Sequence, residues 1–141
     1  MSDPISTLKK ITDTLVKNTG FTPYVAVEIE FYVEGGAPHV IQSMYPDCYR
    51  KFGRAGILTH QIENEAAKGQ YEISLVHLPD PIAIARNTIM VKDIITSTAE
   101  EYGIKVIFDP KPYPNMPGSG LHIHVSLYDK HGNNVFQKDD T

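Results

Sequence analysis

Residues 24–33 read YVAVEIEFYV, an apolar run that carries two glutamates, Glu28 and Glu30. Side chains on a strand alternate between faces, so Val25, Val27, Ile29, Phe31 and Val33 share one face, while Tyr24, Ala26, Glu28, Glu30 and Tyr32 share the other. Two carboxylates two residues apart on one face lie about 7 Å from each other. They repel unless water or a cation screens them. The run reads either as a half-exposed strand with a solvated polar face or as a strand that offers two ligands to a common ion.

Two more segments repeat the pattern. In GQYEISLV (69–76), Tyr71, Ile73 and Leu75 alternate with Gln70, Glu72 and Ser74; in GLHIHVSLY (120–128), Leu121, Ile123, Val125 and Leu127 alternate with His122, His124 and Ser126. Three strands with one apolar and one functional face predict a sheet covered by helix on its apolar side. The other side then becomes a polar wall of Glu28, Glu30, Glu72, His122 and His124, joined by Glu65 from the segment before Gly69.

The helices are marked by caps and periodicity. The first spans 3–19, with Asp3 or Ser2 as cap, Pro4 at its first position, Ile5, Leu8, Ile11 and Leu15 on one stripe, and Gly20 as its end. EGGAPH (34–39) reads as a turn, Val40 to Ser43 as a short strand, and Pro46 and Asp47 as the start of a short helix to Ala55. DPIAIARNTIMVKDIITSTAEEYG (80–103) is a long helix capped by Asp80, with a stripe through Ile84, Ile89 and Ile94 or Ile95 and a stop at Gly103.

Composition bounds the function. The 141 residues suit one domain, 1–141, and no repeat, low-complexity tract or linker divides them. With 41% hydrophobic and 21% charged residues, a net charge of −4 and no basic run, the chain is expected to bind no nucleic acid. No apolar stretch is long enough to span a membrane and MSDPISTLKK does not resemble a signal peptide, so no membrane partner and a cytoplasmic location are expected. Cys48, the single cysteine, reads as a packing residue.

Gathered carboxylates are costly without positive charge beside them. Their oxygens suit Mg²⁺ or Mn²⁺, the imidazoles argue against Ca²⁺, and the absence of a usable thiolate argues against zinc. Mg²⁺ held by carboxylates commonly serves a phosphate group, which points to ATP.

VEIEFYV (27–33), ENEAAKGQYEI (63–73), KPYPNMPGSGLHIHVSL (111–127) and GNNVF (132–136) come in the order and approximate spacing of motifs in the catalytic domain of the glutamine synthetase family, which includes the gamma-glutamyl-amine ligases. The resemblance runs from about residue 20 to 136. It implies an α+β fold in which an antiparallel sheet, with helices packed on one face, lines a funnel-shaped site. It also implies ATP-dependent phosphorylation of glutamate and displacement of the phosphate by ammonia or an amine. By this resemblance Glu30, Glu65 and Glu72 bind one metal, which activates the amino-acid substrate, with Glu65 and Glu72 serving catalysis. Glu28 and His122 bind a second metal on the nucleotide phosphates, His124 and Ser126 lie toward the nucleotide, and Gly118 faces the glutamate substrate.

Departures from the family pattern carry their own expectations. Pro117 stands where glutamine synthetase commonly has asparagine, which removes a side-chain amide and brings the chain nearer to the amine ligases. Lys68 replaces a small residue or proline, and the stretch between the first two motifs is short. His39, His60, His77 and His131 match nothing in the pattern, and Lys105 and Lys111 read as solvated. The family's small N-terminal domain and the C-terminal half with its arginines have no counterpart here, and losing such an arginine costs on the order of 10³-fold or more in rate. The expectation is a truncated or split ligase domain, inefficient alone and completed by a second chain or within a homo-oligomer. The alternative is a non-catalytic remnant that binds metal or nucleotide in a regulatory or scaffolding role.

Overall fold

The structure, a computed structural model, describes residues 3–137. Helix α1 (Pro4–Thr19) begins where the Asp3 carboxylate accepts the Ser6 N–H at 3.0 Å and ends at Gly20. Ser2, the other expected cap, lies outside the described residues. Strand β1 (Thr22–Glu34) follows. Its odd-numbered positions from Val25 to Phe31 are buried, while Tyr24, Ala26, Glu28 and Glu30 are half-buried.

All the pairing is antiparallel. β3 (Gln70–Leu75) lies along one edge of β1, with Glu30 opposite Glu72. Along the other edge lie β5 (Leu121–Tyr128), with Glu28 opposite His122, and then β4 (Lys105–Ile107). β2 (Thr59–Asn64) extends the sheet beyond β3. The fold is therefore α+β, an antiparallel sheet with helices on one face. β2 and β4 were not legible in the sequence: β2 buries only Ile62, and β4 has three residues.

Residues 38–54 differ from the sequence expectation. A single helix, α2 (Pro38–Arg54), replaces the short strand at 40–43 and the helix start at Pro46. Ile41, Met44, Cys48 and Phe52 fall three or four positions apart and are all buried, so one continuous helix hides more apolar surface than a strand followed by a shorter helix. Pro38 takes the initiating role expected of Pro46. Pro46 sits on the exposed side, where the lost N–H bond costs stability without disturbing the core. Cys48 is a packing residue whose thiol is pushed up by burial.

Helix α3 (Pro81–Glu101) starts at Asp80, whose carboxylate accepts the Ile82 and Ala83 N–H groups at 3.0 Å each. It buries Ile84, Val91, Ile95, Thr98 and Ala99 against Ile29, Phe31, Ile73 and the apolar side of α2. Ile89, expected on that stripe, is exposed. Five positions from Ile84 is about 140° around the helix, off the packed face. Lys51 joins the two helices, donating to Thr98 Oγ1 at 3.0 Å and to Glu101 Oε1 at 2.7 Å.

One expectation fails in an informative way. The helical layer covers the apolar sides of β1 and β3 but not that of β5, where Leu121, Ile123 and Val125 are 50%, 64% and 53% exposed. They border an open apolar groove whose other side is formed by Leu8, Ile11 and Ile84. Among the described residues β5 pairs along its length with β1 alone.

Pro46→Ala tests the helix assignment. It restores an i→i−4 bond on an exposed face and should stabilise the chain by about 1–2 kcal/mol, after allowance for the freer unfolded state. Chemical denaturation of both proteins measures the difference, and a loss of stability would contradict a continuous α2.

Candidate metal centre

Strand register builds this site. Residues directly opposite in an antiparallel pair stand on the same face with Cβ atoms about 5 Å apart. Glu30 therefore meets Glu72, and Glu28 meets His122 on one edge and Ser74 on the other. His124 stands opposite Ala26 and Ser126 opposite Tyr24, one and two steps further along the same face. Glu65 enters just past β2: its N–H donates to the Gln70 carbonyl at 2.9 Å, and the Ala66 N–H turns back onto its carboxylate.

Two groups of possible ligands result. One is Glu30, Glu65 and Glu72; the other is Glu28, Glu72 and His122. Within each group, one ligand atom per residue lies within 4.8 Å of the others. Glu72 belongs to both. The structure thus gathers all five residues expected as metal ligands, with Glu72 as the bridge between the groups.

Their charges are compensated unequally. His124 Nε2 and His122 Nδ1 lie 3.0 and 3.2 Å from Glu28 Oε2, and the His124 bond, then the His122 bond, hold this carboxyl below its usual range against the opposing effect of burial. Glu30 Oε2 accepts from the Gly120 N–H at 2.9 Å and the Gln70 amide at 3.0 Å, while Oε1 lies 3.8 Å from His122 Nε2. Among the described residues Glu72 receives only a 3.4 Å contact from the Ser74 hydroxyl. Burial, followed by repulsion from Glu28, Glu65 and Glu30, pushes its carboxyl above the usual range.

The loop between β4 and β5 closes one side. Gly118 donates no side chain but offers its carbonyl to Gln70 Nε2 at 2.9 Å. A Cβ on Gly118 would come within 2.6 Å of the Pro110 carbonyl oxygen, and one on Gly120 within 2.7 Å of both Glu30 Oε1 and His122 Nε2. Hydrogen there lets the chain pass between two possible ligands. Ser119 Oγ is buried with no hydrogen-bond partner among the described residues. Pro117, which lacks the amide of the family pattern, instead uses its carbonyl to accept the Tyr32 hydroxyl at 2.9 Å.

Some residues stand apart. Ser126 joins neither carboxylate group; with His124, Tyr24 and His77 it lines a separate open depression. His77 packs near the Tyr24 ring, at 5.8 Å between centroids. Lys105 pairs with Glu34 at 3.1 Å, and Lys111 donates to the Met116 carbonyl. Sequence reasoning placed Gln70 and Tyr32 on the polar face without giving them a task. Their parity with Glu72 and Glu30 was the available signal, but their burial was not.

The donor set fits a hard divalent cation. It offers carboxylate oxygens, one imidazole and no thiolate, and it contains a shared carboxylate whose charge is under-compensated.

Comparison with known proteins gives the same lineage. The family model for the glutamine synthetase catalytic domain matches residues 36–141. Glutamine synthetase of Pyrococcus furiosus is 30% identical across 99% of this chain, as is that of Mycobacterium tuberculosis, and in each case the chain covers 35% of the relative. The chain thus spans about a third of the length of these curated relatives. Among solved structures, ligand-free GmaS superposes with a TM-score of 0.83 at 22% identity, covering 96% of this chain and 37% of GmaS. Plasmodium falciparum glutamine synthetase superposes with a TM-score of 0.79 at 20% identity, covering 97% and 36%. These two likenesses concern the fold. By the family match over most of its length, and with the motif order intact, the chain belongs to the glutamine synthetase family and represents part of its catalytic domain.

Proposed function

We propose that this chain forms the metal-binding part of a ligase site that joins glutamate to ammonia or an amine at the expense of ATP, through γ-glutamyl phosphate. The observation that carries the reading is the pair of ligand groups meeting at Glu72 on one sheet face. Glu30, Glu65 and Glu72 would hold one Mg²⁺ or Mn²⁺, and Glu28 and His122, with Glu72 in reach, a second. Bound there, the cations would neutralise charge on the γ-carboxylate and on the phosphates of ATP.

The remaining tasks fall to residues of this chain. Glu28 stays ionised because two imidazoles face it, and Glu72 gives up the proton that its neighbours encourage it to hold. Gly118 faces the glutamate substrate, with Glu65 and Glu72 serving catalysis from the same wall. His124 and Ser126 lie toward the nucleotide, along the open depression they share with Tyr24. Pro117 offers no side-chain amide to the amino-acid substrate, a departure that resembles the amine ligases more than the ammonia-using enzyme.

The reading is of one portion of a catalytic domain, with residues 1–141 folding as one unit. Leu121, Ile123 and Val125 present the apolar surface that a further stretch of polypeptide would cover, whether from a second chain or another copy in a homo-oligomer. That surface favours the ligase-portion reading over a sealed, non-catalytic metal- or nucleotide-binding module. Among the described residues no helix is long and apolar enough to cross a membrane. A cytoplasmic site of action, without nucleic acid or membrane as partner, completes the proposal.

Mn²⁺ titration tests the centre directly. The wild-type chain should bind two ions, Glu28→Ala and Glu30→Ala one each, and Glu72→Ala neither with useful affinity. At 100 times the dissociation constant an ion adds about 2.7 kcal/mol of stability, read as a rise in Tm. A Tm unmoved by Mn²⁺ would refute the reading. ADP release with glutamate and a panel of amines then separates the two alternatives. Turnover should be slow, because cationic groups beyond this chain are expected to stabilise the transferring phosphoryl group.

Glu72→Gln checks the electrostatics without metal. The folded state holds the Glu72 proton more tightly than the unfolded chain, so the ionised side chain costs stability once pH rises above the ordinary glutamate range and through the raised folded range. At neutral pH the metal-free variant should melt above wild type, by about 2 °C, and lose the gain that Mn²⁺ confers.

A further inference from the structure

We infer that Gln70 is a positioning residue whose buried amide fixes Glu30 for cation binding and ties that carboxylate to the loop bearing Gly118. The inference rests on the metal-binding reading above and extends it to a residue that touches neither ion.

Gln70 is 1% exposed, although glutamine is ordinarily a surface residue. Burying an amide is costly unless its donors and acceptor are used, and here they are. Nε2 donates one hydrogen to Glu30 Oε2 at 3.0 Å and the other to the Gly118 carbonyl at 2.9 Å. Oε1 accepts the Ala67 N–H at 3.2 Å, with the Tyr32 hydroxyl 3.3 Å away. The reversed amide would set its oxygen against a carboxylate and a carbonyl, so only one orientation satisfies the pocket. The Gln70 main chain adds to the same assembly, since its carbonyl accepts the Glu65 N–H at 2.9 Å.

The arrangement has two consequences for Glu30. Its Oε2 is occupied by Gln70 and by the Gly120 N–H, which leaves Oε1, 3.8 Å from His122 Nε2, as the oxygen open to a cation. Its rotamer is also coupled to residues 117–120, because Gln70 holds the Gly118 carbonyl and the Tyr32 hydroxyl meets the Pro117 carbonyl at 2.9 Å. An ion drawing on Glu30 therefore also restrains the loop expected to face the glutamate substrate. No other neutral side chain of this length offers two coplanar N–H donors beside an acceptor. Glutamate at this position would place a second carboxylate against Glu30, and leucine or methionine would strip donors from both anchors.

Gln70→Met is the direct test, with Mn²⁺ as probe, free Mn²⁺ followed by electron paramagnetic resonance, and Glu28→Ala and Glu30→Ala used to assign the two ions. The ion of Glu30, Glu65 and Glu72 should bind about 10- to 100-fold more weakly in the variant, the usual cost of removing an outer support from a ligand, while the ion of Glu28 and His122 keeps its wild-type affinity. Hydrogen exchange gives a second readout: Mn²⁺ should slow amide exchange across 118–120 in wild type and leave it unchanged in Gln70→Met. If Gln70→Met does not fold, Tyr32→Phe takes its place, with the same selectivity and a smaller loss. Unchanged affinity for both ions, or an equal loss for both, overturns the inference and leaves the metal centre standing. A wild-type chain that binds no Mn²⁺ overturns both.

Discussion

Repulsion among Glu28, Glu30, Glu65 and Glu72 on one face of the sheet is the constraint around which the rest of this chain is arranged. Three of the four carboxylates have donors of their own: imidazoles for Glu28, two N–H groups for Glu30, and the Ala66 N–H for Glu65. Among the described residues Glu72 has only a long hydroxyl contact, yet it is the member common to both groups. The fold thus concentrates its uncompensated charge at the point where two candidate cation sites meet. Stability given up in this cluster would be returned by a bound cation, which is the usual relation between a functional cluster and the scaffold that holds it.

β1 reconciles the cluster with a folded protein. Its period of two turns Ile29 and Phe31 into the centre of the core, at 1% and 0% exposure, and turns Glu28 and Glu30 the opposite way. Each carboxylate is flanked along the backbone by a side chain locked among α2, α3 and β3, so its Cα barely moves. Antiparallel register does the remaining alignment. A slip of one residue between β1 and β3 would send Glu72 into the core and Ile73 onto the polar wall, so hydrophobic burial and ligand geometry select the same register. Placing the site on strands rather than loops follows from this shared selection.

Much of this was legible from the chain alone, wherever a period ran long enough to be read. The alternation in β1, β3 and β5 located the polar wall, and the motif order supplied the family, later matched over residues 36–141. Reading failed where periodicity was short or interrupted. VIQS looked like a strand because four residues cannot distinguish two periods, and Pro46 looked like a helix start because its tolerance on the exposed face of α2 depends on tertiary packing. Ile89 is apolar but lies off the packed stripe of α3. Gln70 shared the parity of Glu72, yet nothing local announces that an amide will be enclosed by Glu30, Gly118 and Ala67, residues that only the sheet and the 110–120 loop bring together.

The two ligand groups do not rest on equally firm ground. Glu30 and Glu72 stand on β1 and β3, whose apolar sides both belong to the buried core, and Glu65 is fastened to β3 through the Gln70 carbonyl. His122, by contrast, belongs to β5, held along its length by β1 alone among the described residues and carrying uncovered apolar side chains on its opposite face. Local opening costs least where few apolar contacts are lost, so β5 lies nearer the low-stability end of this fold than β1 or β3. The Glu28, Glu72 and His122 group therefore rests in part on the less firmly packed strand, whereas the Glu30, Glu65 and Glu72 group is carried by the core already present. Packing against that apolar face would stiffen β5, and because His122 sits on the reverse side of the same strand, it would also steady the imidazole beside Glu28.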